Sequence, residues 1–187
     1  MPAFDLYNAN FQEALVSVGD AASETASGSA TRAAANHSGE AATSVVVDTR
    51  FGAIEFHWDK AIYMPIGVLG FPEHHVFGLA HLPHDKLSQV KLMQCLTDPN
   101  LCFIVAPYNI DSGAIAADDL NRAAASVSIA EGELAVMLVV SVRSKDAGDG
   151  IDMSVNLQAP ILIDTGRQTA WQCVLPNEAY AVQAPLA

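Results

Sequence analysis

Basic residues are scarce: 9 Lys and Arg stand against 21 Asp and Glu in 187 residues, a formal net charge of −12. Direct binding to DNA or RNA draws most of its affinity from Lys and Arg contacts to phosphate, so nucleic acid is excluded as a direct partner. Long hydrophobic runs are also absent. The longest, residues 134–140, has seven residues, whereas a membrane-spanning helix needs about 20. The opening MPAFDLYNAN has neither a charged n-region nor a long apolar stretch, so no targeting segment is read there. Cysteines number only three, Cys95, Cys102 and Cys173. An odd count within apolar runs fits reduced, buried thiols and not a secreted disulfide framework. A soluble, cytoplasmic protein with no membrane contact is expected.

Enzyme signatures are missing as well. There is no Gly-x-Ser-x-Gly elbow, no Gly-x-x-x-x-Gly-Lys phosphate loop and no His-Glu-x-x-His. His74, His75, His81 and His84 form the most tempting metal signal. On a strand, however, His75 and His81 stand six residues, roughly 20 Å, apart, and no Cys or carboxylate lies at zinc-ligand spacing. They read as solvated or structural histidines. The stretch from Asp146 to Asp152 lacks the oxygen ligands and closing Glu of a calcium loop, and a hairpin turn at Asp149-Gly150 explains it more simply. Cys95 and Cys102 sit in apolar strand candidates, where a buried thiol is inert. No catalytic residue, metal or cofactor is therefore expected.

Hydrophobic residues make up 51% of the chain, enough for one sizeable core, but they are unevenly spread. Residues 20–44 are almost all Ala, Ser, Thr and Gly among charges, without one large apolar side chain. Such a segment cannot offset its own ordering entropy and reads as a flexible linker. Ahead of it Phe4, Tyr7, Phe11, Leu15 and Val18 recur at helical spacing. They mark either an amphipathic helix over 4–18 or a disordered leader, since short isolated helices are marginal in water. From Val45 on, short apolar runs recur: 45–47, 54–58, 76–82, 91–96, 101–106, 134–142, 151–155, 161–163, 170–175 and 179–182. Turn residues such as Phe51-Gly52, Pro65-Ile66-Gly67, Asp98-Pro99-Asn100 and Thr165-Gly166 separate most of them. This pattern predicts a mainly β chain, one antiparallel β-barrel-like domain over 45–187 behind a leader at 1–44. One helix is expected over 117–126, with Asp118 and Asp119 at its positive end, and a second short turn over 83–89.

Five strings fall in a telling order. Residues 49–55 (TRFGAIE), 65–71 (PIGVLGF), 93–103 (MQCLTDPNLCF) and 156–161 (NLQAPI), with Arg167, Gln172, Tyr180 and Pro185-Leu186 following, resemble the flagellar assembly factor FliW family. The resemblance spans about residues 45–186. It departs at Lys91-Leu92, where the family usually carries an aromatic, at Gln183-Ala184 in place of an Arg-His, and in the shortened segment 108–111. The leader is not a usual feature.

The resemblance implies a non-enzymatic, monomeric β-barrel-like regulator that binds flagellin and antagonises the translational repressor CsrA, coupling flagellin synthesis to export. The charge agrees: residues 1–44 carry a net −4, leaving −8 on 45–187, and an acidic domain docked beside a basic RNA-binding protein would repel its RNA. The alternatives are a flagellin-binding chaperone without CsrA activity and a small hydrolase with an unidentified Cys or His site. Phe71 and Phe103 are the candidate partner-binding anchors, although such aromatics also serve cores. Asn156 is the third candidate, expected to hydrogen-bond the turn before Pro160. Gly52, Gly67 and Gly70 are expected to supply backbone conformations that other residues resist.

Overall fold

The computed structural model describes residues 43–82, 87–144 and 151–186. The helix expected over 4–18, the Ala/Ser-rich linker, His84, most of the turn at 83–89 and the Asp149-Gly150 turn lie outside them. Eleven strands are seen among the described residues: β1 (Ser44–Thr49), β2 (Gly52–His57), β3 (Ile62–Tyr63), β4 (Val76–His81), β5 (Lys91–Cys95), β6 (Cys102–Pro107), β7 (Leu134–Ser144), β8 (Ile151–Val155), β9 (Ile161–Asp164), β10 (Thr169–Gln172) and β11 (Ala184–Pro185). One α-helix, α1 (Ala117–Ser126), stands where the sequence places it.

Strands β3 to β7, then β9 and β10, are bonded in a ring. Each neighbour is antiparallel except β10 and β3, which meet in parallel through Thr169 and Tyr63. Strand β7 makes the closure possible by its length. Its first half, from Leu134 to Met137, pairs with β9, and its second half, from Val140 to Ser144, pairs with β8. Strand β11 adds to the free edge of β8. Closing the ring removes most open edges, the usual hazard of a β-sheet.

Alternate residues of the same strands feed two separate apolar clusters, as a period of two requires. Phe77, Leu79, Met93, Cys95, Val105, Met137, Ile161 and Ile163 belong to one; Leu92, Ala106, Val136, Leu138 and Leu162 belong to the other. The sheet is thus covered on both faces, and β5 is buried along its whole length. Phe56 of β2 locks the β1–β2 hairpin onto the sheet: it is buried against Gly78 of β4, where a Cβ would lie 2.3 Å from the ring.

Two readings need correction. Residues 179–182 form no strand. Tyr180 instead turns inward, accepting from Ala116 N at 3.0 Å and donating to Asp119 Oδ2, so the closing segment caps the start of α1. Strand β3 escaped notice because two residues cannot display alternation.

Candidate binding surface

The loop between β3 and β4 is the most exposed apolar element of the ring. Ile66 is 61% exposed, Leu69 52% and Phe71 40%, while Val68 between them is buried and anchors the loop. The backbone enforces this splay. Gly67 has φ +65°, and a Cβ there would stand 2.3 Å from the Phe71 carbonyl oxygen. Only glycine lets the two arms of the loop come so close. Phe71 N donates to Val68 O at 2.7 Å, and Gly67 N to Met64 O at 3.1 Å. The buried side chain of Gln172 on β10 then fixes the loop to the barrel: its Oε1 accepts from Leu69 N at 3.0 Å, and its Nε2 donates to Ala159 O at 3.2 Å.

A second loop, between β5 and β6, is held alongside. The amide nitrogen of buried Gln94 lies 3.0–3.3 Å from the carbonyls of Cys95, Asp98, Pro99 and Leu101. Asp98 from this loop meets His74 at 3.4 Å. Phe71 crosses the gap, its ring centroid 5.5 Å from that of Phe103 in an edge-on contact, and Phe103 in turn lies 6.2 Å from core Phe77. Such edge-to-face pairs are favourable beyond their buried area. Two of the three candidate residues, 32 positions apart, are therefore neighbours: Phe71 is exposed and Phe103 half-buried beneath it.

Asn156 is not part of this cluster. Its Oδ1 accepts from Gln158 N and Ala159 N, both at 3.0 Å, which shapes the turn leading to Pro160. Sequence reasoning passed over the roles of Leu69, Ile66 and Gln172 in this surface. Gln172 stood out only as a family residue, and nothing local tells that it reaches a loop 103 positions away.

The described histidines of the 74–81 group make separate contacts. His75 Nδ1 contacts Met64 O at 2.9 Å, and His81 faces Lys91 across the β4–β5 pair with nitrogens 2.7 and 2.8 Å from Nζ. Burial, then the Lys91 charge, pushes the His81 imidazole below its ordinary value, and burial lowers the Lys91 ammonium too. Among the described residues no three His, Cys, Asp or Glu side chains gather as a metal site, and no helix is long and apolar enough to cross a membrane. Cys95 is buried, and burial raises the Cys173 thiol above its usual range.

Asp164, buried at the end of β9, accepts from Arg167 N at 2.8 Å and from Nε at 2.7 Å. Burial alone would raise its carboxyl, but the Arg167 hydrogen bonds and charge together with the Gly166 N–H outweigh it and hold the group below the carboxylate range. Arg167 also donates to Ser128 O, tying the turn between β9 and β10 to the residues after α1.

A closed, mainly antiparallel ring that fixes an apolar loop on its exterior defines a β-barrel-like protein whose candidate site is a surface. The model of the FliW protein family matches residues 45–186. The flagellar assembly factor FliW of Geotalea uraniireducens (strain Rf4) is 31% identical over 144 residues, covering 75% of this chain and 82% of that one. That of Desulfitobacterium hafniense (strain DSM 10664 / DCB-2) is 29% identical over 145 residues, covering 75% and 90%. A crystal structure of the flagellar assembly factor FliW superposes with a TM-score of 0.56 at 25% identity, covering 76% of this chain and 97% of that one. The chain belongs to the FliW family, a family of assembly factors and not of enzymes, so the hydrolase alternative falls.

Proposed function

We propose that this chain is a cytoplasmic, monomeric flagellar assembly factor that binds flagellin and antagonises a CsrA-type translational repressor. Family membership carries the reading. The Phe71 loop supplies a binding surface of suitable chemistry: an exposed aromatic on a rigid base is the usual anchor of a protein interface. Phe103 supports that anchor from below, and Asn156 contributes by shaping the neighbouring turn. Residues 45–187 act as the binding domain and 1–44 as a leader. The net −8 on the domain disfavours RNA on a bound repressor without covering its RNA site, an effect weakened by salt.

Titration calorimetry of the full chain with flagellin and, separately, with CsrA tests this. Binding to both supports the reading, and binding to neither defeats it. Flagellin alone selects a chaperone without CsrA activity, for which the altered segment at Gln183-Ala184 speaks. Phe71→Ala is expected to weaken flagellin binding by about tenfold or more, the loss of a modest interface anchor.

A further inference from the structure

The apolar cluster that contains Phe77, Met93 and Met137 draws on every strand of the ring, from Ile62 of β3 to Ala170 of β10. It is therefore the interior of the barrel. Alternate residues of a strand share a face, so Lys91, the first residue of β5, lies on the same face as Met93 and Cys95, both members of that cluster. The lysine is only 9% exposed. Its cross-strand partners are His81 on β4 and Val105 on β6. His81 ends β4 and is exposed, so the pair stands at the rim of the ring.

Nothing at this rim suits a charged amine well. Lys91 Nζ lies 2.8 and 2.7 Å from Nδ1 and Nε2 of His81, and a neutral imidazole offers one lone pair, a protonated one none. Among the described residues no carboxylate forms an ion pair with Lys91; those pairs join Asp98 to His74, Asp119 to Arg122 and Asp164 to Arg167. Burial lowers the Lys91 ammonium below its ordinary value, which favours the free amine, and a desolvated lysine with its lone pair available is a nucleophile. The neutral amide that acylation leaves is also better suited to this position than a desolvated ammonium.

We propose that Lys91 is a site of covalent modification by small activated acyl donors, acyl phosphates or acyl thioesters, with His81 receiving the proton that the amine loses. The Nζ lone pair attacks the carbonyl carbon of the donor and the new C–N bond forms. The bond from that carbon to phosphate oxygen or thioester sulfur breaks, and the phosphate or thiolate leaves with the electron pair. The proton released from Nζ passes to the His81 ring and from there to solvent. This chemistry goes beyond partner binding, and its test uses no protein partner.

The full chain is treated with acetyl phosphate and, separately, with acetyl coenzyme A, and the acetylation of Lys60, Lys86, Lys91 and Lys145 is followed by peptide mass spectrometry. With at least one donor Lys91 is expected to react about ten times faster than half-buried Lys60, and the donor that achieves this identifies the class. In urea, where the interior is dispersed, the two rates should converge. His81→Gln, at an exposed position, should slow Lys91 by about threefold or more and leave Lys60 unchanged. Equal rates at Lys91 and Lys60 in the folded chain with both donors would overturn the proposal. So would a lead of Lys91 that survives urea, or a rate at Lys91 indifferent to His81→Gln.

Discussion

The N–H of Leu69 donates to Oε1 of Gln172 at 3.0 Å, joining a loop and a strand 103 positions apart. Because Gln172 Nε2 also holds Ala159 O, one buried amide ties the PIGVLGF string to the NLQAPI string. Gln172→Leu, similar in size, leaves both groups unpaired and is expected to cost about 1–3 kcal/mol. Urea unfolding measures the loss, and hydrogen exchange at Leu69 should accelerate beyond what the global change explains.

The two glycines of the same loop should respond differently to alanine. At Gly70, φ is +87° with nothing within 4 Å of a Cβ, so Gly70→Ala carries only backbone strain, about 1–2 kcal/mol. At Gly67 a Cβ also meets the Phe71 carbonyl and Pro72 Cα, at 2.3 and 2.9 Å. Gly67→Ala should lower the melting temperature further and, unlike Gly70→Ala, displace Phe71, visible as lost ring contacts to Phe103 in nuclear Overhauser spectra.

Lys91 is buried, and the His81 ring nitrogens lie 2.7 and 2.8 Å from its Nζ across the strand pair. Lys91→Leu should raise stability by about 1 kcal/mol, since an apolar residue of similar volume removes a desolvated charge. The pH dependence follows from the direction of the His81 shift. Unfolded His81 protonates near about pH 6.5, more readily than the folded residue, so stability falls as pH drops below that point. In Lys91→Leu the His81 carbon-bound proton titration should move back up and the fall should soften.

Asp164 gives the opposite side of the acid response. Its folded carboxyl lies below its unfolded value of about 3.9 because Arg167 outweighs burial. The stabilisation is complete above the unfolded value and is lost as pH falls through the folded one. Arg167→Gln should shift acid unfolding, followed by circular dichroism, to higher pH.

Much of this architecture is legible in the chain itself. Helix α1 and nine of the strands follow from apolar periodicity and turn residues, because in a sheet covered on both faces each strand appears as a short hydrophobic run between breaks. What escaped is decided by tertiary contact. Tyr180 lies in a run that looks like a strand, yet its hydroxyl is worth more as the partner of Asp119 and Ala116. Two-residue β3 exists because Gln168 O and Phe77 are there to pair with it. For the surface, Phe71 and Phe103 were readable as aromatics in distinctive strings, but their contact is a product of the ring, and the fixing role of Gln172 has no local signal at all.

The parallel pair of Tyr63 and Thr169 is the seam at which the barrel shuts. During synthesis β3 is made early and waits, unpaired on that side, while more than a hundred further residues are added. The ring cannot close until β10 has left the ribosome, and joining ends so distant in sequence is a slow step. Since β10 also carries Gln172, the Phe71 loop gains its fixed shape only at that late moment. A nascent or truncated chain lacking its last strands would therefore carry the Phe71 loop without the bond that fixes it to the barrel.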